Sequence, residues 1–108
     1  MTKWLFLASV FFVFQYSMHA EISLPAFISD GMVLQQQTNA SLWGKATPHK
    51  QIWIRTSWDD KEYVSEINKE GRWQIQVKTP QAGGPYSVAF IEENDSVIVR
   101  NVWIGEVW

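Results

Sequence analysis

Over most of the chain, apolar and polar residues alternate with a period of two, and the spacing of an amphipathic helix is hard to find. In the clearest case, Trp73, Ile75 and Val77 are separated by polar residues, and segments 51–58 and 86–90 repeat the pattern. Period-two alternation is typical of strands with one buried face. The pattern therefore predicts a protein built from half-buried β-strands.

Turn residues bound each alternating segment at intervals near ten residues, as at Asp30-Gly31 and Glu70-Gly71. Short strands at such intervals are typical of all-β sandwiches and barrels. We therefore expect an all-β fold, an antiparallel β-sandwich of jelly-roll type. Within it, Lys61–Ile67 and Arg72–Lys78 are predicted to pair as a hairpin around the turn between them.

The last segment, Asn101 to Trp108, contains an apolar run without clean alternation. A strand that is apolar on both faces is typical of a parallel sheet covered on both sides, as in α/β domains. We expect this segment to be the first strand of a second, α/β domain, which the sequence enters and leaves incomplete.

The first twenty residues have the layout of a secretory signal peptide. Lys3 provides a positive start, an apolar run follows from Trp4 to Phe14, and a polar stretch ends on the small residue Ala20. The run is shorter than the ~20 residues that span a membrane. The sequence therefore predicts export to the periplasm or the extracellular space.

Composition narrows the classes of function. The 108 residues include no cysteine and carry a formal net charge of −2. The missing cysteines exclude disulfides and thiolate chemistry, and the acidic balance disfavours nucleic acid and membrane surfaces as partners. The apolar and aromatic content is too high for a disordered protein. Oligomeric state is left open.

The residues from 21 onward offer no catalytic constellation. Their one histidine, His49, lies in a polar turn, and no serine occupies a nucleophile elbow. The paired acids Asp59-Asp60 and Glu92-Glu93 lie on turns, where adjacent side chains point apart, unlike the carboxylates of a glycosidase cleft. No spacing matches a metal site, so no catalytic, cofactor or metal residue is assigned.

Tryptophan is unusually abundant, with seven residues in the chain. We expect Trp43 and Trp73, which lie in alternating runs, to fill the core. Trp53 is out of phase with the apolar Ile52 and Ile54, and is the candidate platform for a sugar ring. A free-standing carbohydrate-binding module is therefore an alternative hypothesis, and a structural sandwich for adhesion or assembly is a second one.

Short motifs in a fixed order carry a resemblance. They are Leu24-Pro-Ala-Phe-Ile-Ser-Asp-Gly-Met-Val-Leu-Gln35, Leu42-Trp-Gly-Lys-Ala-Thr-Pro48, Glu70-Gly-Arg-Trp73, Ala82-Gly-Gly-Pro-Tyr86 and Asn101-Val-Trp-Ile-Gly-Glu-Val-Trp108. In this order they resemble the N-terminal region of the sialate O-acetylesterase family, secreted esterases of the SGNH (GDS-like) hydrolase class. The resemblance covers residues 22–108.

The resemblance implies a signal peptide at 1–20, a β-sandwich accessory domain at 21–100 and the start of an SGNH hydrolase domain at 101–108. In the family, the stretch matched by Gly105 to Trp108 leads into the block with the nucleophilic serine. That serine would lie beyond Trp108, so these 108 residues are predicted to be inactive alone. The intact protein would hydrolyse O-acetyl esters of sialic acid or related acetylated glycans without a cofactor.

Overall fold

A computed structural model describes residues 22–108. This part contains seven β-strands and no helix, so the all-β prediction is confirmed. The predicted signal peptide lies outside the described residues. The strands are β1 (Val33–Gln35), β2 (Asn39–Lys45), β3 (Gln51–Thr56), β4 (Glu62–Glu66), β5 (Arg72–Lys78), β6 (Gly83–Glu92) and β7 (Asp95–Gly105).

The strands form two facing sheets, which we call the large and the small sheet. The large sheet has five strands in the order β1-β7-β6-β3-β4, and the small sheet pairs β2 with β5. Immunoglobulin-type sandwiches divide their strands in a similar way, with β2 and β5 opposite β3, β6 and β7. All neighbours are antiparallel, as expected, except β1 and β7, which run parallel.

The core lies between the sheets and follows the alternation seen in the sequence. Trp73 is buried against Phe90, with ring centroids 5.7 Å apart. Both sheets contribute fully buried apolar side chains, namely Leu42, Ile52, Ile54, Val77, Val88, Phe90 and Val102, and Ile67 adds one from outside the strands. Burial of these side chains is the main favourable contribution to folding.

The predicted hairpin of residues 61–67 and 72–78 is wrong. β4 pairs with β3 in the large sheet, whereas β5 pairs with β2 in the small sheet. The Asn68 side chain accepts hydrogen bonds from the backbone N–H groups of Glu70 and Arg72 and shapes the turn. The turn therefore carries the chain from one sheet to the other. Alternation is the same for a hairpin and for a crossing between sheets, so the sequence pattern did not distinguish them.

A β-bulge explains the missing alternation at the C-terminal end. Val88 of β6 is opposite Val99, but Tyr86 is opposite Val102, so two residues of β7 face one residue of β6. One of these two residues of β7, Asn101, has a φ of +54°. The bulge shifts the phase of β7, so that Val99 and Val102 both point into the core.

Residues 101–105 continue β7 within the large sheet. The predicted domain boundary between residues 100 and 101 therefore falls inside a strand. Trp103 and Ile104 are opposite Val33 and Leu34 of the parallel strand β1. Ile104 is buried whereas Trp103 is 45% exposed, so this end of β7 has one buried face and one open face.

We expect Phe90→Ala to destabilise the protein by about 3–5 kcal/mol, because it removes a fully buried ring and leaves a cavity beside Trp73. Urea unfolding followed by tryptophan fluorescence measures the change. The control is Val64→Thr, which keeps a β-branched residue at an exposed strand position and should change stability by less than about 0.5 kcal/mol. Equal losses in the two variants would contradict the assigned core.

Candidate functional site

Trp53, the sugar platform expected from the sequence, lies on the outer face of the large sheet. It is opposite Val64 of β4 and Ile91 of β6, and its ring is half-buried. Its neighbours Ile52 and Ile54 point into the core, as the alternation predicted. Trp53 is therefore an outward aromatic residue set in an apolar row.

A groove of about 350 Å³ borders Trp53, and the rest of its lining is polar. The Lys50 Nζ lies 3.3 Å from the Glu93 carboxylate, and the Gln51 amide donates to Glu66 at 3.3 Å. Polar side chains beside an aromatic ring can hydrogen-bond the hydroxyl groups of a bound sugar. Trp53 and this groove together form the smaller of two candidate sites on the outer faces of the sandwich.

His49 lines the same groove but has no catalytic partners there. It is the one histidine in the described part of the chain, and no serine, threonine or cysteine is among the residues lining this groove. Its φ is +65°, and its backbone N–H donates to the Ile67 carbonyl oxygen at 3.0 Å. Without a hydroxyl or thiol nucleophile beside the imidazole, the groove lacks the parts of a serine- or cysteine-type triad.

The expectation that Trp43 and Trp73 both fill the core is half correct. Trp73 is buried, but Trp43 is 40% exposed on the outer face of the small sheet. The phase of β2 explains the difference, because the fully buried Leu42 turns its neighbour outward. Phe27 packs against the exposed ring, with centroids 4.9 Å apart.

A larger groove, of about 910 Å³, runs beside Trp43, and sequence reasoning did not identify it. Gln74 is directly opposite Trp43 across the small sheet, and Lys45 is directly opposite Arg72. The signal available in the sequence was that Trp43 and Lys45 share the outward phase of β2. The pairing with β5, which brings Arg72 and Gln74 alongside, depends on tertiary structure.

Trp73 forms part of the wall of this larger groove from the core side. Its indole Nε1 is buried and has no hydrogen-bond partner within residues 22–108. Gly44 lies directly opposite Trp73, where a Cβ would stand 2.9 Å from the indole Cζ2 and 2.5 Å from the Ser23 carbonyl oxygen. The close approach of backbone and ring therefore requires glycine at position 44.

A third polar cluster joins β1 to the end of β7. The Gln35 side-chain amide donates to Glu106 at 3.0 Å, and the Gln36 amide donates to the other carboxylate oxygen. The Gln35 side-chain oxygen also accepts the Val107 backbone N–H at 2.9 Å. Hydrogen bonds from Gln35 and Gln36, in that order of importance, hold the pKa of the exposed Glu106 carboxyl below its usual value.

Residues 22–108 contain neither a metal-binding cluster nor a membrane-spanning helix. No group of three or more histidine, cysteine, aspartate or glutamate side chains in this range is placed to hold a metal ion. No helix in this part of the chain is long and apolar enough to cross a membrane.

A solved enzyme provides an informative likeness. No protein-family model matches the chain, and no curated protein sequence matches it. A carbohydrate acetylesterase from Xanthomonas citri is similar over 81% of this chain, with 30% sequence identity and a TM-score of 0.75. The chain spans 20% of the length of that enzyme. The match supports the esterase interpretation at the level of carbohydrate acetylesterases.

We expect Glu106→Gln to lower the free energy of unfolding near neutral pH and to make that free energy less dependent on pH in the acid range. The folded pKa of Glu106 lies below the unfolded one, so its hydrogen bonds stabilise the fold above about pH 4 and are lost as the pH falls through the folded pKa. Urea unfolding at several pH values between about 7 and 3 measures this dependence.

Glu70→Gln, which removes one carboxylate at an exposed turn position, is the matched control for the change in net charge. If Glu106→Gln and the unaltered chain lose stability in parallel as the pH falls, the hydrogen bonds to Glu106 do not stabilise the fold.

Proposed function

We propose that this chain is the sandwich portion of an exported carbohydrate acetylesterase of the sialate O-acetylesterase type, within the SGNH class. The observation that carries the proposal is its similarity to the Xanthomonas citri carbohydrate acetylesterase, at 30% identity and a TM-score of 0.75. Because the chain spans 20% of that enzyme, we assign catalysis to a part of the protein outside residues 22–108.

The contact between the first and last sequence motifs supports this assignment. Asp30 accepts the Arg100 backbone N–H at 2.8 Å, and the Gly31 N–H donates to the Arg100 carbonyl oxygen at 3.0 Å. Further along, the Gln36 N–H donates to the Gly105 carbonyl oxygen at 2.8 Å. Motifs that are far apart in sequence therefore form one hydrogen-bonded unit.

In the proposed enzyme, this unit would fix the direction of the backbone that follows β7. Gln35 holds both the Glu106 side chain and the Val107 backbone, so the direction of the chain after Gly105 is set by β1. By the family resemblance, the nucleophilic serine comes after this segment. The sandwich would thus position the strand that presents the nucleophile, without contributing a catalytic group of its own.

The chemistry proposed for the intact protein is acyl transfer to serine. The serine hydroxyl attacks the acetyl carbonyl, a histidine takes the serine proton, and preorganised hydrogen-bond donors stabilise the oxyanion. Water then releases acetate from the acyl-enzyme. The substrate class is O-acetylated sialic acid or a related acetylated glycan.

We expect the protein isolated from its natural source to hydrolyse O-acetylated sialic acid, whereas the 108-residue chain releases no acetate above a heat-inactivated control. Acetate release measures both activities, and intact mass with C-terminal peptide sequencing identifies any residues after Trp108. Peptides that continue into a serine-containing nucleophile segment support the proposal. Acetate release by the 108-residue chain itself would overturn the assignment of catalysis outside the sandwich.

The proposal includes a second role for the sandwich, in which the Trp53 ring is a platform that binds neutral sugar rings of the glycan. The half-buried ring borders a groove with polar walls, the arrangement in which an aromatic face packs against sugar C–H groups. In this role the sandwich would hold substrate near a catalytic domain rather than act as a free-standing module.

We expect Trp53→Ala to weaken binding of a neutral O-acetylated oligosaccharide by about tenfold, since it removes the stacking surface. Titration calorimetry on the purified chain measures the affinity. Val64→Thr, beside Trp53 on the same face, leaves the ring in place and serves as the control. Unchanged affinity in Trp53→Ala would remove the platform role.

A further inference from the structure

Two cationic side chains lie directly opposite each other on the outer face of the small sheet. Lys45 of β2 is the cross-strand partner of Arg72 of β5, and both are exposed. Like charges at directly opposite positions destabilise a sheet. Neither residue forms an ion pair within the described part of the chain. The pair therefore repels without compensation, in a chain whose net charge is negative.

An exposed aromatic ring adjoins the cationic pair. Trp43 lies two residues before Lys45 on the same face of β2, and Phe27 packs against one part of its ring. Because successive side chains of a strand point to opposite faces, the Trp43 ring and the Lys45 side chain project to the same side of the sheet. Gln74, opposite Trp43, adds an amide that can both donate and accept hydrogen bonds.

The groove of about 910 Å³ beside these residues has the size of a binding site for several linked rings. Its wall includes Trp73, whose buried Nε1–H has no acceptor within residues 22–108. A buried donor without an acceptor is rare and calls for an explanation.

The groove also has one anionic side chain, which already accepts a hydrogen bond. Glu66 lines the groove and accepts a hydrogen bond from the Gln51 side chain at 3.3 Å. The charged residues that line the groove are Lys45, Glu66 and Arg72, so the net charge of the lining is positive. Charge complementarity therefore favours an anionic ligand, and the geometry of a cationic pair suits a carboxylate.

We propose that this groove binds an acidic glycan, a chain of sugar rings that bear carboxylate groups. Trp43 packs against the C–H face of one ring, Lys45 and Arg72 bind its carboxylate, and Gln74 hydrogen-bonds a hydroxyl group. The choice of a sugar over other anions rests on the proposed function. Its aromatic ring and its two cations lie on the small sheet, whereas Trp53 lies on the large sheet.

The test uses the purified chain with an oligomer of galacturonic acid as the probe. A galactose oligomer of the same length is the neutral comparison. Titration calorimetry should give an affinity for the acidic oligomer about tenfold or more above that for the neutral one. Raising the salt concentration from about 0.05 M to 0.5 M should weaken binding of the acidic oligomer, because exposed charges are screened.

Variants divide the contributions of the ring and the cations. We expect Trp43→Ala to weaken binding about tenfold and Lys45→Gln or Arg72→Gln to weaken it about fivefold each. Lys61→Gln, at an exposed position that lines neither groove, is the matched control and should keep the affinity for the acidic oligomer. If Trp43→Ala fails to fold, the two glutamine variants, at exposed positions, still decide the result.

Three outcomes would overturn the proposal. They are equal affinity for acidic and neutral oligomers, unchanged affinity in both glutamine variants, and equally tight binding of a polyglutamate peptide, which would indicate a cationic surface without sugar recognition. Esterase activity of the intact protein is measured separately. If the intact protein is an active esterase but the sandwich does not bind the acidic oligomer, this site alone is contradicted. If the sandwich binds the oligomer but the intact protein has no esterase activity, the proposed function alone is contradicted.

Discussion

The pairing of the Asp30–Gln36 segment with β7 is the interaction on which the rest of this sandwich depends. Asp30 and Gly31 hydrogen-bond both backbone groups of Arg100, at the point where β7 contains its bulge. The inserted residue allows Val99 and Val102 to face the same core. Without it, the end of β7 would turn its apolar residues to solvent and its exposed face to the core.

The same pairing determines where the chain goes after the sandwich. β1 lies parallel to β7 and ends at Gln35, whose side chain holds Glu106 and Val107. β1 is a short parallel edge strand, whereas the other strand pairs within residues 22–108 are antiparallel. This strand joins the first part of the described chain to the last. The stability of the fold and the direction of residues 106–108 therefore depend on one set of hydrogen bonds.

The two outer faces of the sandwich carry different chemistry. The large sheet presents Trp53 in an apolar row with an ion-paired groove beside it, whereas the small sheet presents Trp43 beside two cations without ion-pair partners in residues 22–108. A fold of this kind supports many functions, so function must be argued from such sites and from the likeness to an acetylesterase rather than from the sandwich itself. The likeness covers one part of a larger enzyme, which agrees with a supporting role for these faces.

The sequence alone determined the strand content and much of the core, because burial on one face of a strand imposes alternation on the residues themselves. Ile52, Ile54, Trp73 and Val77 were identified in this way, and so was the outward direction of Trp53. The order of the motifs also pointed to an esterase. Only local information was needed for the strands and the core, since each assignment depends on neighbours within a few residues.

Tertiary structure decided which strands became partners. Alternation carries no information about pairing, so the sequence did not reveal that β4 and β5 belong to different sheets or that β1 runs parallel to β7. The bulge at Asn101 looked like lost periodicity because the groups that hydrogen-bond the backbone there belong to Asp30 and Gly31. Asp30 is 70 residues away from its partner Arg100 in the sequence. The groove at Trp43 was hidden for the same reason: Lys45 and Arg72 become neighbours only through a cross-strand register that is set by the packing of the whole sandwich.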